Sequence, residues 1–269
     1  RGSNYFILFS NTPLVQYTLN GKGYSADGMK ANIKEECYDD FAAYLATVAK
    51  HYIDKGWNVP YISPINEPQD GWDTPRQEGS PWRNSELKRM MIALDAELSK
   101  ESCFDNLRIQ LGETNRLKYL YESHPRYTDK FGEAEAPNWV VRNFFDEKSP
   151  YYIGNLRHLK RAVYAHAYHD VRSSEKMRNV HRLAGEECRK YGVEYNMSEW
   201  CLLPGARKKN IEGFTKDWYC ANYADITNRA TSYGSTVGGF NGNTGSASQE
   251  FVNCANYGSV VGDGGGVVA

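Results

Sequence analysis

Two glutamates each close an apolar run. Glu67 ends "YISPINE" at 61–67, and Glu199 ends "VEYNMSE" at 193–199. Cleaving a glycosidic bond needs two carboxyl groups across the bond: one protonates the leaving oxygen, and the other attacks the anomeric carbon or activates water to do so. Asn66, just before Glu67, has the amide to hydrogen-bond a sugar hydroxyl beside the reacting carbon. Pro68 stiffens the turn and fixes where Glu67 points. Trp200, next to Glu199, offers an apolar wall. Against this stands a plainer reading: the chain has 33 acidic residues, and a strand-end glutamate is commonly a surface charge or a helix cap. The "INEP" context lifts Glu67 above that background. "NMSEW" lifts Glu199, less strongly.

The elements that must hold these groups alternate along the chain. Cys37, Phe41, Leu45, Val48 and Tyr52 recur at helical spacing, which predicts an amphipathic helix over 32–55 stopped by Gly56. A strand is predicted over Val59 to Ile65, then a polar loop at 66–82. The next helix starts near Ser85 with Leu87, Met90, Met91, Leu94 and Leu98 on one face. Further strands are predicted at 107–113 ("LRIQLGE"), 161–170 ("RAVYAHAYHD") and 193–200, with helices near 138–146, 175–191 and 218–230. Strand, loop and helix in repetition predict βα units and a parallel sheet. Glu67, Glu113, His166 with Tyr168, and Glu199 all fall at strand carboxyl ends, the functional face of a (β/α) barrel. His166 by itself reads as a core or capping histidine, and Glu113 as structural or peripheral.

Composition bounds the rest. A chain of 269 residues with 41% hydrophobic and 24% charged residues is ordinary for a globular protein. A net charge of −1 gives no electrostatic case for nucleic acid. No apolar run is long enough to span a bilayer. The start, "RGSNYFILFSNTP", lacks a small-residue cleavage site and does not read as a signal peptide, and without an initial Met it reads as lacking the natural N-terminus. Six scattered cysteines without a CxxC pair argue against a zinc site or a disulfide framework. Tyr at 20 residues and Trp at 6 supply faces suited to stacking on sugar rings, although most such residues fill a core. From Tyr233 the chain turns Gly-rich and loses helical period. "VGGFNG" and "GGGVVA" look like two copies of one element, which predicts a β-solenoid-like or flexible tail.

"SNTP" (10–13), "YISPINEPQDGW" (61–72), "QEGSPW" (77–82), "AHAYHD" (165–170) and "NMSEWC" (196–201), in that order, resemble glycoside hydrolase family 30, in particular its endo-β-1,6-galactanase-like branch. The resemblance covers residues 5 to about 230. It implies a (β/α)8 barrel and a retaining mechanism without cofactor or metal. It implies that Glu67, ending the fourth strand, is the acid/base and that Glu199, ending the seventh, is the nucleophile. Asn66 would contact the sugar. His166 and Tyr168, ending the sixth strand, would line the pocket, with Asn11, Trp82 and Trp200 as further candidates for its wall. For Asn11 and Trp82 a loop-packing role fits equally well.

Measured against that family, two strands before the matched region and the eighth strand are missing. The expectation is therefore an α/β fold, a partial TIM barrel over 1–232, followed by a Gly-rich segment over 233–269. A barrel lacking three strands leaves open edges, and the scaffold that should place the catalytic pair is incomplete, which argues against full activity. The expected partner is a β-linked polysaccharide or oligosaccharide, outside the cell or at its surface. The competing expectation is a non-catalytic carbohydrate-binding or adhesion protein. A metal-dependent hydrolase has less support, since no two histidines flank a glutamate at helical spacing.

Overall fold

The computed structural model describes residues 5–199, apart from residues 26, 76, 124–127, 130, 133 and 169–173. The predicted helix at 218–230, the Gly-rich segment at 233–269 and Trp200 lie outside the described residues.

The elements run β1 (Ile7–Phe9), α1 (Tyr38–Asp54), β2 (Tyr61–Ser63), α2 (Asn84–Leu98), β3 (Arg108–Thr114), α3 (Val140–Phe145), β4 (Leu159–His166), α4 (Ser174–Lys190) and β5 (Glu194–Glu199). The strands form one sheet in chain order, and every neighbouring pair is parallel. Parallel crossovers are right-handed, so strands in unbroken order carry their helices on one face. That is the winding of a barrel; a doubly wound sheet reverses its order part-way. Among the described residues β1 and β5 are the two edges of the sheet. Ile7 and Phe9 on the edge strand β1 remain 44% exposed.

The helices follow their apolar spacing. α1 buries Tyr38, Phe41, Ala42, Leu45, Ala46 and Ala49, one face of a 3.6-residue repeat. It ends at Gly56, whose φ of 80° is the left-handed conformation that glycine adopts without a Cβ clash. α2 buries the five apolar side chains that its sequence singles out, Leu87, Met90, Met91, Leu94 and Leu98. At its start the Glu86 carboxylate accepts the Arg83 N–H (2.8 Å) and the Ala31 N–H (3.0 Å). It thereby caps the helix and ties down the loop that precedes α1. Cys37 and Cys188 are buried free thiols, and Cys103 is a half-buried one. Burial pushes the Cys188 thiol up to about 12, which leaves it unreactive at neutral pH.

β2 is shorter than its apolar run. Pro60 and Pro64 bracket it, and a proline has no N–H to give to a ladder. Pairing resumes for one step beyond the second proline, where Asn66 bridges Glu113 in parallel. Registry also shifts between Leu111 and Thr114 on β3, and between Ala165 and His166 on β4. Irregularities of this kind bend a strand and re-aim its side chains. Here they fall where the strands reach their carboxyl ends.

Candidate active site

The carboxyl ends of β2 to β5 converge on one imidazole. His166, the last residue of β4, is fully buried. Its Nδ1 lies 2.7 Å from Glu67 Oε1 and 3.3 Å from Glu199 Oε2, and its Nε2 lies 3.2 Å from Glu113 Oε2. Tyr168 donates its hydroxyl to Glu199 Oε2 at 3.0 Å, and its ring stands edge-on to the imidazole. Ser63 on β2 donates to Glu113 Oε1 at 3.1 Å.

Glu67 owes its direction to a strained backbone. Its φ is 42°, a left-handed conformation that costs a non-glycine residue roughly 1–3 kcal/mol. Three hydrogen bonds hold it: the Glu67 N–H donates to the Glu113 carbonyl (2.8 Å), while the Glu67 carbonyl accepts the Asp70 N–H (3.0 Å) and the Trp72 indole N–H (3.0 Å). Trp72 is itself left-handed, with φ of 48°. Its ring lies against Gly79, where an added Cβ would come within 2.2 Å of it. Gly79 is therefore fixed by the indole that braces Glu67. Asn66, 4% exposed, has a buried Oδ1 without a hydrogen-bond partner, an acceptor beside the candidate acid.

Electrostatics follow from this packing. Burial opposes a charge on His166, but hydrogen bonds to Glu113 and Glu67 and the field of Glu199 outweigh it. The imidazole is raised from its ordinary 6.5 to about 9 and is an imidazolium at neutral pH. Burial raises the Glu199 carboxyl above its usual range, and His166 and the Tyr168 hydroxyl partly counter this. Because Glu67 and Glu199 each present an oxygen to the same nitrogen, those two oxygens are at most about 6 Å apart, the sum of the two contact distances.

One ligand atom from each of Glu113, His166 and Glu199 lies within 4.8 Å of the others, a spacing that a divalent ion could bridge. The ring, however, gives both nitrogens to carboxylates as donors, and an imidazolium has no lone pair for a metal. The set as arranged is held together by a proton.

The structure thus brings together Glu67, Asn66, His166, Tyr168 and Glu199 from the sequence-derived set. Asn11 stands two residues past β1, half-buried, at the same edge of the sheet, where the Ser10 N–H reaches the Ser63 carbonyl (2.9 Å). For Trp82 the packing favours the loop-packing alternative. The residue is 2% exposed and packs edge-on against Tyr38 in the helical layer, so it presents no face to a ligand. Glu113 is a correction, being central to the cluster and not peripheral. Its strand-end position, the same as that of Glu67, was the available signal. Ser63 gives no signal in the sequence, and Trp72 lies inside a quoted motif without standing out from it.

A parallel sheet with strands in chain order, carrying acidic groups at its carboxyl edge, places the chain among (β/α)-barrel proteins. The chain belongs to O-glycosyl hydrolase family 30, whose family model matches residues 1–227. A 102-residue stretch is 32% identical to the endo-β-1,6-galactanase of Hypocrea rufa, covering 36% of this chain and 21% of that protein. The crystal structure of a conserved exported protein from Bacteroides fragilis matches with a TM-score of 0.74 at 25% identity, over 86% of this chain and 46% of that one. SrfJ from Salmonella typhimurium matches at 0.51 and 15% identity over 86% of this chain and 42% of that one, a likeness of fold alone. The chain spans less than half the length of each of these relatives.

Proposed function

We propose that the chain carries the catalytic centre of a retaining glycoside hydrolase acting on β-linked polysaccharide, with β-1,6-galactan the foremost substrate. The observation that carries this reading is the meeting of Glu67 and Glu199 at one imidazole nitrogen. Retaining enzymes hold their two carboxyl groups about 5–5.5 Å apart, and inverting ones about 6.5–9.5 Å apart to admit a water. The bound of about 6 Å on the two facing oxygens favours the first class.

In the first step Glu67 gives its proton to the glycosidic oxygen as Glu199 attacks the anomeric carbon. The aglycone leaves and a glycosyl ester forms on Glu199. In the second step Glu67 takes a proton from water, the water oxygen attacks the same carbon from the opposite face, and the Glu199 carboxylate is released. Asn66 supplies its unpartnered acceptor to a hydroxyl of the bound sugar. Tyr168 steadies Glu199, and Asn11 contributes to the wall of the pocket. The galactanase relative supports the choice of galactan. The exported relative supports a place outside the cell or at its surface, and no helix among the described residues is long and apolar enough to cross a membrane.

Incubation with β-1,6-galactan, with product anomers followed by proton NMR, tests the reading. The β anomer is expected first. Glu67→Gln lowers turnover by about 10²–10⁴-fold, and Glu199→Gln lowers it further. Full activity in both variants overturns the assignment. Galactan binding without turnover in the unsubstituted chain replaces it with a carbohydrate-binding role.

A further inference from the structure

We propose that Glu113 is a positioning residue for this reaction: from β3 it holds His166 as an imidazolium whose Nδ1–H is shared between Glu67 and Glu199. The proposal rests on the function proposed above, and its main readout is independent of turnover.

Three observations carry it. Glu113 is the least exposed of the three carboxylates, its side chain at 7% against 14% for Glu67 and 36% for Glu199. It is too enclosed to serve a polymeric substrate directly. Next, all its polar groups are spent inward. Oε1 accepts the Ser63 hydroxyl and Oε2 faces His166 Nε2. Its N–H donates to the Ile65 carbonyl (2.9 Å), and its carbonyl accepts the Glu67 N–H. One residue therefore fixes both the backbone of the candidate acid/base and the charge of the histidine beside it. Finally, the strand is shaped for this. The registry of β3 shifts around Glu113, and Gly112 lets β3 close on Ile65, where a Cβ would meet that side chain at 3.1 Å.

The groups facing His166 are Glu67 from β2, Glu113 from β3, Tyr168 just beyond β4 and Glu199 from β5. Three carboxyl groups thus surround one imidazole: Glu113 alone faces Nε2, and Glu67 and Glu199 share Nδ1.

The test is an NMR titration of His166 in the full chain labelled in its histidines. In the unsubstituted protein His166 stays protonated to about pH 9. In Glu113→Gln its titration falls by about 1–3 pH units, as expected when an adjacent opposite charge is lost. In Glu67→Gln it stays protonated through neutral pH, because Glu113 remains. An unmoved titration in folded Glu113→Gln overturns the proposal. So does a fall to neutrality in Glu67→Gln, a variant that decides the matter even where Glu113→Gln fails to fold. Absence of hydrolysis with the His166 titrations as expected counts against the proposed reaction and leaves the Glu113–His166 pairing standing.

Discussion

The α1–α2 layer and the carboxyl ends of β2 to β5 are both buried, but they are built on opposite principles. The helical layer is mainly apolar: Phe41, Ala49, Met90, Met91, Leu94 and Leu98 are fully enclosed, and dispersion and water exclusion hold them. The strand ends enclose Ser63, Asn66, Glu113 and His166 to a similar degree and add a left-handed glutamate. Burying charge is costly unless partners satisfy it, so there the fold gives up stability for a defined arrangement of proton and carboxylates. The comparison teaches that depth of burial does not separate scaffold from site in this molecule; the chemistry of what is buried does.

The sharpest way to break that contrast is to take one partner from the ionic cluster. Glu113→Leu leaves an imidazolium short of its counter-ion and is expected to cost about 3–5 kcal/mol. Urea denaturation should register this loss at neutral pH and much less of it above pH 9, where the histidine is neutral. In the helical layer Leu94→Ala should cost about 2–5 kcal/mol through lost burial and a residual cavity. Its loss should be the same at pH 6 and pH 9, and the His166 titration should not move.

Alkali provides a milder test. The His166 pKa is higher in the folded than in the unfolded state. Its contribution is therefore complete below about pH 6.5 and disappears as pH rises through about 9. The loss is on the order of 3 kcal/mol, from about 1.4 kcal/mol for each pH unit between the two values. The difference in unfolding free energy between the unsubstituted chain and His166→Gln, followed from pH 6 to 10, should shrink by that amount; a constant difference would sink the account. Least in size is Gly56→Ala, where a Cβ forced into the left-handed helix cap costs about 1–2 kcal/mol at every pH. Thermal unfolding should detect it, with the strand-end cluster unaffected.

How far the sequence reached depends on whether the relevant contact is local. The buried face of α2 was legible residue by residue, because helical spacing puts Leu87, Met90, Met91, Leu94 and Leu98 on one stripe whatever the partner is. The order of strands and helices was legible for the same reason, and with it the placing of Glu67, Glu113, His166 and Glu199 at one edge. The early end of β2 was in principle legible from Pro60 and Pro64. For Trp82 the sequence left pocket wall and loop packing open, because a tryptophan near a motif looks the same in sequence whether its ring meets solvent or Tyr38.

By itself, then, the sequence determined the parallel βα architecture and which side chains stand at its carboxyl edge. Periodicity and punctuation are properties of neighbouring residues. The tertiary structure alone decided that Glu113 belongs with His166, that Ser63 completes the pair and that Trp72 braces Glu67. His166 reaches Glu67 and Glu113 across 99 and 53 residues of chain. Which atoms meet over such separations depends on strand registry and on shifts of a single residue within it, and no local pattern encodes these.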